Sequence, residues 1–138
     1  DFIIKKSYNE VIEREVIDMY KDLKKIKDIM QYKALELDSV AHINGDDLTL
    51  TIASEECAEL IQALTKVKRY GCKDEYKGNL QEEIADVLIC ISELISLGYI
   101  DMSEVEKWHT YKVNREIKRA IQKEEEIRKE AEKYGNCE

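Results

Sequence analysis

Glu82-Glu83-Ile84-Ala85-Asp86-Val87-Leu88-Ile89-Cys90-Ile91-Ser92-Glu93-Leu94-Ile95-Ser96-Leu97 is the most apolar run of the chain. Placed on a helix, its apolar residues fall almost all round the axis, and a helix of that kind is buried on several sides. Asn79, with Glu82 three residues on, has the spacing of a capping box, and Gly98 supplies a stop. The expected helix covers about residues 80–97. A chain of this length has little material to surround it, so a second subunit is expected to cover part of it.

Working outward, the same boundary signals recur. A second helix is expected over about 48–70, closed by Gly71, after a loop at His42-Ile43-Asn44-Gly45-Asp46-Asp47. Ser7 with Glu10 opens an N-terminal helix of about 8–37, long enough to consist of two pieces. Its apolar positions Val11, Ile12, Val16, Met19, Leu23, Ile26 and Met30 keep the amphipathic period. Asp101 with Glu104 opens a C-terminal helix of about 102–134, ended by Gly135. Its last part, Lys123 to Lys133, is mostly charged and reads as a solvated extension or a partner-facing arm.

Long helices with short connections make an antiparallel four-helix bundle, and residues 1–138 read as one all-α domain, assembled as an oligomer. Composition agrees. Five glycines and no proline leave too few turn residues for an all-β fold. Lys+Arg number 22 and Asp+Glu 30, a net charge of −8, which disfavours a nucleic-acid polymer or an anionic membrane as partner. The longest apolar stretch, Ile84 to Ile95, carries Asp86 and Glu93 and is too short to span a bilayer. The N-terminal apolar run is too short for a signal peptide. Cys57, Cys72, Cys90 and Cys137 show no CxxC spacing, and the expected setting is reducing and cytoplasmic.

The chemistry concentrates in two acidic segments. In Ser54-Glu55-Glu56-Cys57-Ala58-Glu59-Leu60, Glu55 and Glu59 are four apart on one helical face, with Glu56 three before Glu59. Ile52, Ala53, Leu60, Ile61 and Leu64 surround them, so these carboxylates border a core face. On the next helix Glu83 and Asp86 are three apart at the mouth of the apolar run. Two such faces meeting across a bundle repel one another and raise carboxylate pKa values unless a cation lies between them. Hard oxygen donors suit Mg²⁺ or Mn²⁺. A ferritin-like di-iron site needs two Glu-x-x-His elements, and this chain has one, Glu106 with His109. Trp108, Tyr70, Tyr76, Tyr111 and His42 are candidates for stacking on a base, although such residues more often serve packing.

Glu55-Glu56-x-x-Glu59 followed, after 23 intervening residues, by Glu83-x-x-Asp86 resembles the signature of the all-α NTP pyrophosphatases, the MazG-like group related to dimeric dUTPases. The resemblance covers about residues 40–120. It implies hydrolysis of deoxy, ribo or non-standard nucleoside triphosphates to monophosphate and pyrophosphate with Mg²⁺, in nucleotide-pool cleaning. It implies Glu56, Glu59, Glu83 and Asp86 as metal ligands. Lys112, Asn114 and Arg115, with Arg119 one turn on, become candidates to meet the phosphates. Glu55, beside the ligands, is the candidate general base. A homodimer or homotetramer is expected. The rival readings are a non-catalytic helical oligomer with acidic metal-binding faces and a phosphoribosyl-ATP-type pyrophosphatase.

Overall fold

The computed structural model describes the backbone of residues 2–135 and the side chains of residue 13 and residues 15–133. These residues form α1 (Phe2–Gln31), α2 (Ala34–Tyr70), α3 (Asp74–Ser96) and α4 (Met102–Gly135), with no strand among them. The all-helical expectation and the number of helices hold. The chain divides into two compact units, Asp1–Tyr99 with α1 to α3 and Ile100–Glu138 with α4. Cys137 and the side chains of Ser7, Glu10, Val11 and Ile12 lie outside the described residues.

Several boundaries differ from those expected. α1 is helical from Phe2, so Ser7 is not its start. The long N-terminal tract does break in two, at Tyr32 and Lys33, where Lys33 takes a left-handed conformation (φ 49°). The expected loop at 42–47 is not a loop. α2 passes through it with one interruption, at Gly45 (φ 75°, ψ 173°). Only glycine adopts that φ without steric cost, so the break is confined to one residue and both flanks stay helical. His42 Nδ1 donates to the Asp38 carbonyl at 2.8 Å, inside the segment expected to be irregular. α3 begins at Asp74, about a turn and a half before Asn79. Asp74 and Glu75 in its first turn complement the helix dipole, and no side chain caps it.

The termini expected from glycine and aspartate are as read. Gly71 N–H donates to the Val67 carbonyl at 2.9 Å and ends α2. At the end of α3, Gly98 N–H donates to Ile95 O (3.0 Å) and Tyr99 N–H to Leu94 O (2.9 Å), with Gly98 at φ 80°. This pair of bonds is a Schellman motif. Asp101 caps α4: its Oδ1 accepts from the Ser103 amide (2.9 Å) and the Ser103 hydroxyl (2.6 Å). Those bonds, the hydroxyl first, hold the Asp101 carboxyl below its usual range.

In the first unit α2 and α3 pack as an antiparallel pair, joined by residues 71–73. Ala53 and Ala63 on α2 and Cys90 on α3 are buried, and small side chains let two helix backbones approach closely. α1 touches α3 near its end, where the Ser92 hydroxyl lies 3.8 Å from Met30 Sδ. The burial of α3 is inverted relative to its hydropathy. Its buried residues are Glu83, Cys90 and Glu93, whereas Ile84 and Ile89 are each 43% exposed. The α1 stripe of Val16, Met19, Leu23 and Ile26 is exposed as well. Among the described residues no helix is long and apolar enough to cross a membrane.

Candidate metal centre

The three-residue spacing of Glu56 and Glu59 sets both on the side of α2 that faces α3, and α3 presents Glu83 in return. One carboxylate oxygen from each of Glu56, Glu59 and Glu83 lies within 4.8 Å of the other two. Glu83 is buried and Glu56 half-buried, while Glu59 opens to solvent. Asp86 lies outside this triad, yet among the neighbouring charges it bears most strongly on Glu56. Burial first, and then the charges of Asp86, Glu59, Glu83 and Glu55 in that order, push the Glu56 carboxyl up. Glu55 itself is exposed and contributes least of the four. Among the described residues, none of these five carboxylates forms an ion pair with Lys or Arg.

Glu83 has a support that its place in the sequence did not suggest. Asn79 Nδ2 donates to Glu83 Oε1 at 2.7 Å, and Asn79 Oδ1 accepts from Lys66 Nζ at 3.4 Å. Asn79, read as a helix cap, instead orients a cluster carboxylate from one turn away. The i to i+4 spacing of Asn79 and Glu83 is the signal that could have identified it. One oxygen of Glu83 is thereby fixed and the carboxylate is held toward α2.

The donor set fits a hard divalent cation. It consists of carboxylate oxygens alone, crowded together and without a cationic partner among the described residues. The nearby Cys90 thiol is pushed up to about 11, chiefly by burial and next by the Glu93 and Glu56 charges, so it stays protonated and offers no thiolate. No histidine enters the cluster: His42 pairs with Asp38, and His109 belongs to α4. Among the described residues Cys57, Cys72 and Cys90 are free thiols.

The remaining candidates stand on α4, in the second unit. Lys112, Asn114 and Arg115 are all exposed, and Arg115 Nη2 donates to Glu116 Oε1 at 3.1 Å. Of the aromatic candidates, Tyr70 stacks on Tyr76 with ring centroids 5.4 Å apart, and Trp108 meets Tyr111 edge-on at 6.0 Å. The four rings form two separate pairs, one in each unit.

The family model of the MazG nucleotide pyrophosphohydrolase domain matches residues 45–121, more than half of the chain. The chain belongs to this family. The MazG match begins at the Gly45 break, takes in Glu55, Glu56, Glu59, Glu83 and Asp86, and ends on α4 beyond Arg119. No curated protein and no solved structure matches the chain at a significant level.

Proposed function

We propose that this MazG-family chain is a Mg²⁺-dependent nucleoside triphosphate pyrophosphohydrolase, releasing monophosphate and pyrophosphate from deoxy, ribo or non-standard nucleotides in cytoplasmic nucleotide-pool cleaning. The observation that carries this reading is the convergence of Glu56, Glu59 and Glu83 from two helices with no cation partner among the described residues. In this reading Glu56, Glu59, Glu83 and Asp86 hold Mg²⁺, with Mn²⁺ as the alternative. When bound, the cation supplies positive charge for the polyphosphate and Lewis acidity toward water.

The chain's own groups supply the rest. Asn79 keeps Glu83 turned toward α2. Glu55 is exposed, one residue from Glu56, and is assigned as the base that takes a proton from the attacking water. Lys112 and Arg115 bring the positive charge, and Asn114 the amide, that this reading assigns to the phosphates. Arg115 gives up its exposed bond to Glu116 for this purpose, at small cost. The exposed isoleucines of α3 and the exposed stripe of α1 support assembly of this all-α domain, residues 1–138, as a helical-bundle homo-oligomer.

The test is release of pyrophosphate or phosphate from a panel of ribo- and deoxyribonucleoside triphosphates, with Mg²⁺ and with chelator, for wild type and Asp86→Asn. Metal-dependent pyrophosphate release that Asp86→Asn abolishes upholds the proposal. Phosphate release replaces it with another phosphohydrolase. Release from phosphoribosyl-ATP alone narrows the substrate, and no release from any compound leaves a non-catalytic metal-binding oligomer. Glu55→Gln separates base from ligand: turnover falls while the metal-induced rise in thermal midpoint persists. Loss of that rise makes Glu55 a ligand.

A further inference from the structure

The described serine and threonine hydroxyls of α2 and α3 all have a partner, with one departure. Thr51, Ser54, Thr65 and Ser92 each donate to the carbonyl four residues back, at 2.9, 2.8, 2.8 and 3.2 Å. Thr49 is fully buried, and its Oγ1 has no partner among the described residues. The cause lies one turn away. The carbonyl that Thr49 would reach belongs to Gly45, whose ψ of 173° turns it out of the helical ladder. A buried hydroxyl left unpaired is a standing cost that a structural role does not explain.

A second buried polar group lies at the same level. Glu93 is 5% exposed and, among the described residues, forms neither a hydrogen bond nor an ion pair. α2 and α3 run antiparallel, so one step back along α2 matches one step forward along α3. Glu59 and Glu83 meet in the carboxylate cluster. Ten residues back from Glu59 is Thr49, and ten residues on from Glu83 is Glu93. Two exposed bonds beyond either end agree with this register: Lys66 to Asn79, and Tyr99 Oη to Asp46 Oδ2 at 2.8 Å. The level between the cluster and Thr49 is occupied by Ala53 and Cys90, both small and buried.

We propose that Thr49 and Glu93 read the nucleobase of the nucleotide whose phosphates the carboxylate cluster serves, selecting a base with an amino group beside an unprotonated ring nitrogen, as in cytosine or adenine, over its deaminated counterpart. This rests on the proposed pyrophosphohydrolase reading and sharpens its substrate class. From Glu83 and Asp86 to Glu93 the helix rises about 10 to 15 Å, which matches the reach from a nucleotide's phosphates to the far edge of its base. An ionised carboxylate only accepts hydrogen bonds, and a hydroxyl can donate one. Together they match an amino donor next to a ring-nitrogen acceptor. Uracil and hypoxanthine present the reverse order, a carbonyl beside an N–H, and set an oxygen against the carboxylate. Burial pushes the Glu93 carboxyl up, as expected of an anion that lacks a donor. Entry requires this level to open, and Gly45, already outside the helical ladder, is the point at which α2 is proposed to bend. The exposed contacts spanning the break, Tyr99 to Asp46 and Ser96 to Asp38, yield at little cost.

The test uses the full chain with Mg²⁺ and compares kcat/KM within two substrate pairs, CTP with UTP and ATP with ITP. Wild type is expected to favour the amino member of each pair. Thr49→Val and Glu93→Gln are each expected to lower that ratio about tenfold or more, mainly through KM, and Thr49→Ser to restore it. Thr49→Val is also expected to raise the thermal midpoint, since it removes an unpaired hydroxyl at nearly constant shape. A ratio that neither variant changes, or a wild-type preference for the deaminated members, overturns the inference. Binding of CMP and UMP, measured calorimetrically with chelator present, tests it apart from turnover. If no nucleotide is hydrolysed, the pyrophosphohydrolase reading fails, and tighter binding of CMP than UMP still supports this subsite. Equal binding overturns it.

Discussion

On α4, Glu104 pairs with Lys107 and Glu116 with Arg119, in each case three residues apart and exposed. α1 repeats the arrangement with Asp18 and Lys21, and with Asp22 and Lys25. The carboxylates of α2 and α3 differ. Glu56, Glu59 and Glu83 come together from two helices, partly buried, and no Lys or Arg among the described residues answers them. The residue types and the three-residue spacing are the same in both regions. The difference teaches that a carboxylate marks a site through what the fold withholds from it. An acid with a lysine one turn away is a solvated face. Three acids converging without a counter-ion store repulsion that a divalent cation relieves.

The largest expected effect is on turnover. Glu83→Gln keeps the size of the side chain and removes the charge of the most buried cluster carboxylate. Pyrophosphate release under saturating Mg²⁺ should fall at least about a hundredfold, whereas Glu104→Gln on α4 should change it by less than about twofold. Equal losses in the two variants would erase the distinction between the regions.

Next is stabilisation by metal. Mg²⁺ or Mn²⁺ at a hundredfold excess over its Kd should stabilise the native chain by about 2.7 kcal/mol, read as a rise in thermal midpoint, because the ion binds the folded arrangement alone. Glu59→Gln should remove most of that rise. Packing beneath the cluster comes third. Ala63 is 1% exposed, one turn from Glu59. Ala63→Leu should destabilise by about 1 to 3 kcal/mol through overpacking and should weaken metal binding by separating the helices.

A pH series sharpens the contrast further. Folded Glu56 holds its proton more tightly than the unfolded chain does, so its stabilising contribution is present in acid and is lost as pH rises through the raised value. Asp101, held low by Ser103, has the opposite sign: its contribution is present above its unfolded value and is lost as pH falls. In chelator, over about pH 2 to 7, Glu56→Gln should therefore gain stability relative to wild type as pH rises above about 4, and Asp101→Asn should gain it as pH falls below about 4. Thermal midpoints across that range check both signs, and Mg²⁺ should cancel the Glu56 effect alone. The smallest effect belongs to the paired acids. Lys107→Ala should shift stability by no more than about 0.5 kcal/mol at moderate salt.

Much of this was legible in the sequence. Gly71, Gly98 and Asp101 end or begin helices for reasons local to a few residues, and each does so where expected. The candidate ligands were legible because three-residue spacings place Glu56 beside Glu59 and Glu83 beside Asp86 on any helix. The segment at 42–47 was misread because Asn-Gly-Asp-Asp is loop chemistry in most settings. Here helix continues on both sides, and Gly45 absorbs the whole break. Asn79 was misread for a related reason. Asn is a good cap, but α3 starts earlier and leaves its amide free to hold Glu83.

The sequence by itself determined that the chain is helical, where most of its helices stop, and which carboxylates can share a face. Those properties depend on contacts within one turn. Tertiary structure alone decided that Glu83 comes within reach of Glu56 and Glu59, that Glu93 and Thr49 are buried, and that Ile84, Ile89 and Ile95 of α3 are left exposed. Each of these depends on the register and rotation of α3 against α2. That choice is made by close packing of small residues along the whole pair, and no local spacing encodes it.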